Sequence, residues 1–221
     1  MPNSLTVPPV RPVLDRLFQA ARSGDAVQWV TVREHHPDGL AGLSAREQAD
    51  AYAELYIPVS PEGGRLLYAL IRASRPATVV EFGTSFGIST IHMAAAVRDN
   101  GTGHVVSTEL HGAKVAQARA NVAEAGLAGL VTIVEGDARE TLADLPGPVG
   151  FVLLDGWKNL YLPVLRLLEP RLAPGALVVA DDTISMAAEM TDYLSYVRDP
   201  AHGYLSVSFP ESDGLEISCR V

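Results

Sequence analysis

A single cysteine, Cys219, stands in this chain of 221 residues, so no disulfide can close within it and no C-x-x-C metal or redox pair exists. That scarcity fits a reducing compartment. Basic clusters are missing too: 17 Lys and Arg face 26 Asp and Glu, for a net charge of −9. Non-specific affinity for nucleic acid comes from grouped Lys and Arg, so a phosphate backbone is excluded as a partner. No apolar run approaches the ~20 residues that span a bilayer. The first ten residues carry no basic side chain, and prolines interrupt their apolar ones, which argues against a signal peptide. The six histidines form no H-E-x-x-H set, and no serine lies in a G-x-S-x-G frame, so zincin and serine-hydrolase chemistry find no support. The expectation is a cytoplasmic protein with a small-molecule partner, and neither nucleic acid nor membrane.

The composition, 48% hydrophobic and 19% charged, is that of a globular chain long enough for one α/β domain with a full core and short for two. The first ten residues are Pro-rich and read as extended or disordered. Val13, Leu14, Leu17, Phe18 and Ala21 recur at helical spacing and predict a helix over residues 12–21. His35-His36-Pro37-Asp38-Gly39 is a break. Ser44, with Glu47 three residues on, is a capping box that opens a further helix to about Tyr56. Residues 1–55 thus form a helical flank or lid, not an independent domain, on a main domain of residues 56–221.

From Pro61 onward helix and strand alternate. Leu66, Leu67, Leu70 and Ile71 make one helical face. Strands are expected at 77–82, 104–109, 131–135, 149–155 and 176–181, with helices at 87–97, 112–125, around Pro163 and at 184–197. Strands at 203–209 and 215–221 flank the turn-rich Pro210-Glu-Ser-Asp-Gly214. Near-continuous Val and Leu runs mean strands buried on both faces. The predicted fold is an α/β, doubly wound, mostly parallel seven-stranded sheet with a C-terminal antiparallel hairpin.

Such sheets bind ligands at the carboxyl ends of their strands, where strand order reverses. The first strand runs into Gly83-Thr-Ser-Phe-Gly87, whose glycines allow close approach, and the helix that follows offers free N–H groups to an anion. Ser85 breaks the G-x-G-x-x-G pattern, so the helix start need not face a pyrophosphate; a small carboxylate suits it. Glu109 ends the second strand, where an acid can accept from both ribose hydroxyls. A nucleoside-containing cofactor is the reading.

The fourth strand ends in Asp155, with Lys158 three residues on, and the fifth ends in Asp181-Asp182. Neighbouring strands lie roughly 5 Å apart, which lets Asp155 and Asp181 reach one ion. Asp182 joins them only if the chain turns there, as the helical pattern from Ile184 indicates. Helix capping explains one of these acids but not three at one sheet edge, and a cation is the simplest resolution of their repulsion.

Glu81-Phe-Gly-Thr-Ser-Phe-Gly87, Glu109, Gly136-Asp-Ala138, Asp155-Gly-Trp-Lys158 and Asp181-Asp182 together resemble the class I S-adenosylmethionine methyltransferases. More narrowly they are similar to the cation-dependent O-methyltransferases, which include catechol and caffeoyl-CoA O-methyltransferases. The resemblance runs from about residue 56 to 221, and Leu154-Asp-Gly-Trp-Lys-Asn-Leu-Tyr-Leu-Pro163 is especially close to the catechol enzymes. It implies a Rossmann-like methyltransferase fold and S-adenosyl-L-methionine as cofactor, with contacts from Val59, Glu81, Gly83, Ser85, Ser89, Glu109, Asp137, Ala138, Asp155 and Trp157. Ser89 would hold the methionine carboxylate and Glu109 the ribose; Asp137 and Ala138 would lie near the adenine, with Trp157 as its wall.

A phenol, with a pKa of about 10, must be helped to lose its proton before it can take a methyl group. The resemblance implies a divalent cation, Mg²⁺, on Asp155, Asp181 and Asp182, with Lys158 as general base and a vicinal-dihydroxy aromatic or similar chelating acceptor. The family usually has Asp-Asn where this chain has Asp181-Asp182, and the added charge should tighten cation binding. In the catechol enzymes a glutamate shortly before the last strand positions the acceptor. Matching on Asp213-Gly-Leu-Glu216 puts Val207 at that place and leaves Glu211 as a candidate. A homodimer is expected. The rival readings are a metal-independent methyltransferase, a nicotinamide-dependent oxidoreductase and a non-catalytic binding module.

Overall fold

The computed structural model describes residues 3–40, 42–145 and 147–221. A 26-residue helix, α1 (Val10–His35), opens the chain and buries Val10, Val13, Leu14, Leu17 and Ala21 along one face. The core-facing stripe that marks it in the sequence stops at Ala21 because no residue of the second half is buried, Val27 and Val30 included. The helix nonetheless continues almost to Pro37, whose ring disfavours helical backbone before it. The expected extended start is corrected as well. Residues 4–6 form a 3-10 turn, anchored by Ser4 N–H donating to Asp99 Oδ2 at 2.8 Å, and α1 has begun by residue 10; residues 1 and 2 lie outside the described residues.

The second helix, α2 (Ala45–Ala51), carries the capping box as expected: Ser44 N–H donates to Glu47 Oε2 at 2.8 Å, and Glu47 N–H to Ser44 Oγ at 3.3 Å. It ends before Tyr56, and the chain crosses to α3 (Pro61–Ser74), whose N-cap Ser60 accepts from Gly63 N–H. The alternating part follows as β1 (Thr78–Phe82), α4 (Ile88–Asn100), β2 (His104–Glu109), α5 (Gly112–Glu124), β3 (Val131–Glu135), α6 (Ala138–Thr141), β4 (Val149–Leu154), α7 (Tyr161–Leu168), β5 (Leu172–Ala180), α8 (Thr191–Arg198), β6 (Tyr204–Phe209) and β7 (Leu215–Arg220).

The seven strands lie in the order β3-β2-β1-β4-β5-β7-β6, and β1 to β5 pair in parallel. The last strand, β7, inserts between β5 and β6 and is antiparallel to both. Strand period divides the core in two. Val79, Phe151, Leu153 and Val179 face a cluster with α1, α3, α4 and α5, while Val80, Val152, Leu154 and Val178 face one with α6, α7 and α8. Each of these side chains is fully buried, and burying one contributes about 1.5–3 kcal/mol. Strand order reverses between β1 and β4, which places a crevice at their carboxyl ends.

The helix expected over residues 184–197 is corrected. Asp182 adopts a left-handed φ of 61°, and the amides of Thr183, Ile184 and Ser185 donate to the carbonyls of Gly214 and Asp213 in the β6–β7 hairpin. That commitment delays α8 to Thr191, after a 3-10 turn at Ala187–Met190. Among the described residues no helix is long and apolar enough to cross a membrane.

Candidate active site

At the end of β1 the chain turns through Gly83, φ 104°, directly against the β4 loop. A Cβ there would lie 2.3 Å from the carbonyl oxygen of Asp155, so only glycine fits. Asp155 N–H donates to Phe82 O at 2.8 Å, and Gly83 N–H to Thr108 O at 3.1 Å, binding three strand ends together. Gly87, φ 87°, caps α4 and leaves the first amides of that helix without helical acceptors. Ile88 and Ser89 of that first turn line the crevice.

Glu109, at the end of β2, receives the backbone amides of Ser85 and His111, one on each carboxylate oxygen and both at 2.9 Å. Asp137 caps α6 by accepting from Arg139 N–H at 2.8 Å and also pairs with the Arg139 guanidinium, which holds its carboxyl below the usual range. Across the opening, Trp157 faces Tyr52 with ring centroids 5.5 Å apart, and Tyr52 meets the edge of Trp29 at 5.2 Å.

The second half of the site is acidic. One carboxylate oxygen from each of Asp155, Asp181 and Asp182 lies within 4.8 Å of the others. β4 and β5 are paired neighbours, and Asp181 N–H donates to Leu154 O at 3.0 Å, which sets the first two acids side by side. The left-handed turn at Asp182 brings in the third. Lys158 Nζ is buried among them, 2.7 Å from Asp182 Oδ2 and 3.8 Å from Asp155 Oδ1, and it donates to Tyr161 Oη at 2.7 Å. Burial, and then the charge of Asp181, raise the Asp155 carboxyl well above its ordinary pKa, with Lys158 opposing. Burial, followed by the charge of Asp182, lifts Asp181 to about 6. Burial likewise pushes the Tyr161 phenol up.

Both halves open into one cavity of 820 Å³, a volume typical of a small-molecule site. Of the residues expected from the sequence, Val59, Gly83, Ser85, Ser89, Glu109, Asp137, Ala138, Asp155, Trp157, Lys158 and Asp182 line it. Asp181 does not; it reaches the acidic cluster from behind. Glu81 is fully buried away from the cavity and accepts from Ser89, Thr90 and Ser107, so its expected place as a direct contact becomes one behind Ser89. Glu211 also lies elsewhere: its Oε1 accepts from Ser60 Oγ at 2.6 Å. Val207 is 56% exposed on an edge strand. Neither shapes the cavity.

Sequence reasoning missed Trp29, Tyr52, Lys114, Met186 and Glu189, all on the cavity wall. The aromatic pair comes from the flank, which no family motif covers. For Lys114 a signal existed in the composition, because Lys114 and Lys158 are the only two lysines of the chain.

The chain is similar to known proteins. A family model described as a methyltransferase domain matches residues 80–183. Catechol O-methyltransferase B of Danio rerio is 28% identical, over 95% of this chain and 83% of its own length. Catechol O-methyltransferase of Sus scrofa is 30% identical, over 63% of this chain and 77% of its own. Among solved structures, cofactor-bound Rv0187 from MTB superposes with a TM-score of 0.70 at 26% identity, covering 86% of this chain and 95% of that one. The O-methyltransferase TomG from Streptomyces achromogenes, solved with SAM, shares the fold at a TM-score of 0.69 and 22% identity, over 91% of this chain and 98% of its own. With its doubly wound sheet, its glycine turn and its acid-lined crevice, the chain belongs to the class I S-adenosylmethionine methyltransferases and is an S-adenosylmethionine-dependent O-methyltransferase of the catechol and caffeoyl-CoA type.

Proposed function

We propose that the protein methylates one hydroxyl of a small vicinal-dihydroxy aromatic, using a divalent cation held by Asp155, Asp181 and Asp182 and Lys158 as the base. The observation that carries this reading is the convergence of three carboxylates and one buried lysine on the cavity that the glycine turn also lines. The donor set fits a hard cation: oxygen ligands only, crowded enough that burial and mutual repulsion keep two of them from ionising freely. Bound there, Mg²⁺ would act as a Lewis acid that stabilises the acceptor as an oxyanion.

The donor end fits S-adenosylmethionine. The unpaired amides at the start of α4 suit its carboxylate, Glu109 retains lone pairs for ribose hydroxyls, and Trp157 presents an apolar face. When bound, S-adenosylmethionine would supply a sulfonium methyl group for in-line transfer to the acceptor oxygen, the electron pair of the broken S–C bond remaining on sulfur. The step requires Lys158 as the free amine: its nitrogen exchanges the contact with Asp182 for the acceptor hydroxyl and takes that proton, becoming the ammonium. Tyr161, bonded to Lys158 Nζ and lying 3.4 Å from Asp181 O, steers the amine toward the cavity. The flank, residues 1–55, is proposed as a lid: Arg46 of α2 donates to Leu110 O at 2.7 Å across the donor end, and Trp29 and Tyr52 close the side.

Charge on the wall supports a catechol-like acceptor over a CoA ester. Among the described residues lining the cavity the cations are Lys114 and Lys158, both engaged within it, against Glu109, Asp137, Asp155, Asp182 and Glu189. A CoA ester would find no free cation for its phosphates, and an uncharged or cationic catechol meets no such penalty. A methyl-transfer screen over catechols, phenolic acids and CoA esters, with and without Mg²⁺, tests this. Turnover of catechols that depends on Mg²⁺ is expected; a preference for CoA esters would reject it.

A further inference from the structure

Lys158 has its place in the acidic cluster; Lys114, the other lysine, has none there, though it is 6% exposed and also lines the cavity. From the first turn of α5 its Nζ reaches beneath residues 55–59, donating to Leu55 O at 2.7 Å and to Ser85 Oγ at 3.3 Å. The ammonium lies 5.4 Å from the centroid of the Phe86 ring, and Phe86 stacks on Tyr56 at 4.1 Å. Ser85 Oγ donates to Tyr56 O at 2.8 Å, so the glycine turn and the flank segment are tied twice. From the other side Asp25 of α1 accepts the amides of Tyr56 at 2.9 Å and Ile57 at 3.0 Å, one on each oxygen.

The backbone between these two charges is strained. Ile57 and Ser85 hold φ angles of 43° and 46°. A β-branched residue avoids that region, and such conformations cost about 1–3 kcal/mol unless the surroundings enforce them. Both residues line the cavity. We infer that Lys114 and Asp25 are positioning residues for the methyl donor, a buried cation and a part-exposed anion that brace residues 55–59 and the Ser85 turn into the shape the donor fits. A compact ammonium with three donors reaches an acceptor on each segment at once. Burial pulls the Lys114 ammonium below its ordinary pKa, and the charges of Glu109, Asp25 and Glu54 oppose that pull.

This inference rests on the donor occupying the cavity, and the test separates the two. Calorimetry with S-adenosylhomocysteine and steady-state methyl transfer are run on the wild type, Lys114→Met, Asp25→Asn and Glu109→Ala. Losing a charged hydrogen bond to each segment should raise donor Kd and donor KM ~10-fold in Lys114→Met. Its kcat and acceptor KM should stay within about 2-fold, the signature of binding lost equally from ground state and transition state. Amide exchange at Tyr56 and Ile57 should quicken. Asp25→Asn keeps one acceptor oxygen of two and should weaken donor binding ~3-fold; it decides the matter if Lys114→Met does not fold. Unchanged donor affinity in the folded variants overturns the inference, as does a parallel loss of donor and acceptor constants with thermal stability. Wild-type donor affinity in Glu109→Ala would instead overturn the placement of the donor, and the inference with it.

Discussion

Glu81 on β1 and Asp155 after β4 are carboxylates on adjacent strands, and burial raises the pKa of both. Their company differs. Three hydroxyls, from Ser89, Thr90 and Ser107, donate to Glu81 and pull its pKa back down. Asp155 faces two further carboxylates, and one lysine pairs with two of the three, Asp155 and Asp182. A buried acid whose lone pairs are filled by fixed donors is a structural part, needing nothing more from outside the chain. Three part-buried acids whose repulsion one ammonium only partly offsets are stable with a further cation and costly without it.

The comparison is broken most severely by removing an acid from the cluster. Asp155→Ala should lower methyl transfer on the order of 10³-fold, since Lewis-acid stabilisation contributes several kcal/mol, and should abolish tight Mg²⁺ binding measured by calorimetry. Undiminished Mg²⁺ affinity in that variant would disprove the ligand assignment. Next in size is Lys158→Met. It should cost about 10²-fold or more in kcat at unchanged donor affinity, as loss of a general base does. A normal kcat in single-turnover assays would remove Lys158 from that role.

Glu81→Leu acts on the other side of the comparison. It leaves three buried hydroxyls without their acceptor and should destabilise the fold by about 3 kcal/mol, read by urea denaturation, whereas Glu81→Gln should recover much of the loss. If Glu81→Leu left stability intact and removed Mg²⁺ binding, the two kinds of acid would not be distinct.

His92 gives the smallest effect and a control of opposite sign. It is fully enclosed between Gly64 and Phe18, its Nδ1–H bonds to Ile88 O at 2.8 Å, and burial lowers its pKa to about 4. Above its unfolded pKa of about 6.5 it is neutral in both states. As pH falls from there toward 4 the unfolded chain takes up a proton that the folded chain refuses, so stability drops, by at most about 3 kcal/mol. In metal-free protein Asp155 and Asp181, with raised pKa values, act the other way, gaining protons in the folded state first. The difference between wild type and His92→Gln isolates the histidine: its urea midpoint should fall less steeply on acidification, and identical slopes would contradict the burial argument.

Most of this was legible in the sequence because parallel strands announce themselves. Val79-Val80 and Val152-Leu-Leu154 are apolar on both faces, and Gly83 and Asp155, past the ends of these strands, fall where such strands deliver function. The capping box at Ser44 and Glu47 is a local signal, and it held. What stayed hidden depends on long-range partners. The solvent-facing half of α1 has no apolar stripe, yet it supplies Asp25 and Trp29. The backbone amides of residues 183–185 look helical in sequence and bond instead to the distant hairpin. Glu81 was matched to the cofactor by motif, and only the positions of Ser89, Thr90 and Ser107 show that it is filled already.

Methyl transfer to a catechol by protein stripped with EDTA, followed by return of Mg²⁺, bears most directly on the acidic cluster. The rate should fall to background on stripping and return with the metal, while S-adenosylhomocysteine affinity changes little. A stripped enzyme that turns over at the full rate would show that Asp155, Asp181 and Asp182 serve the fold alone.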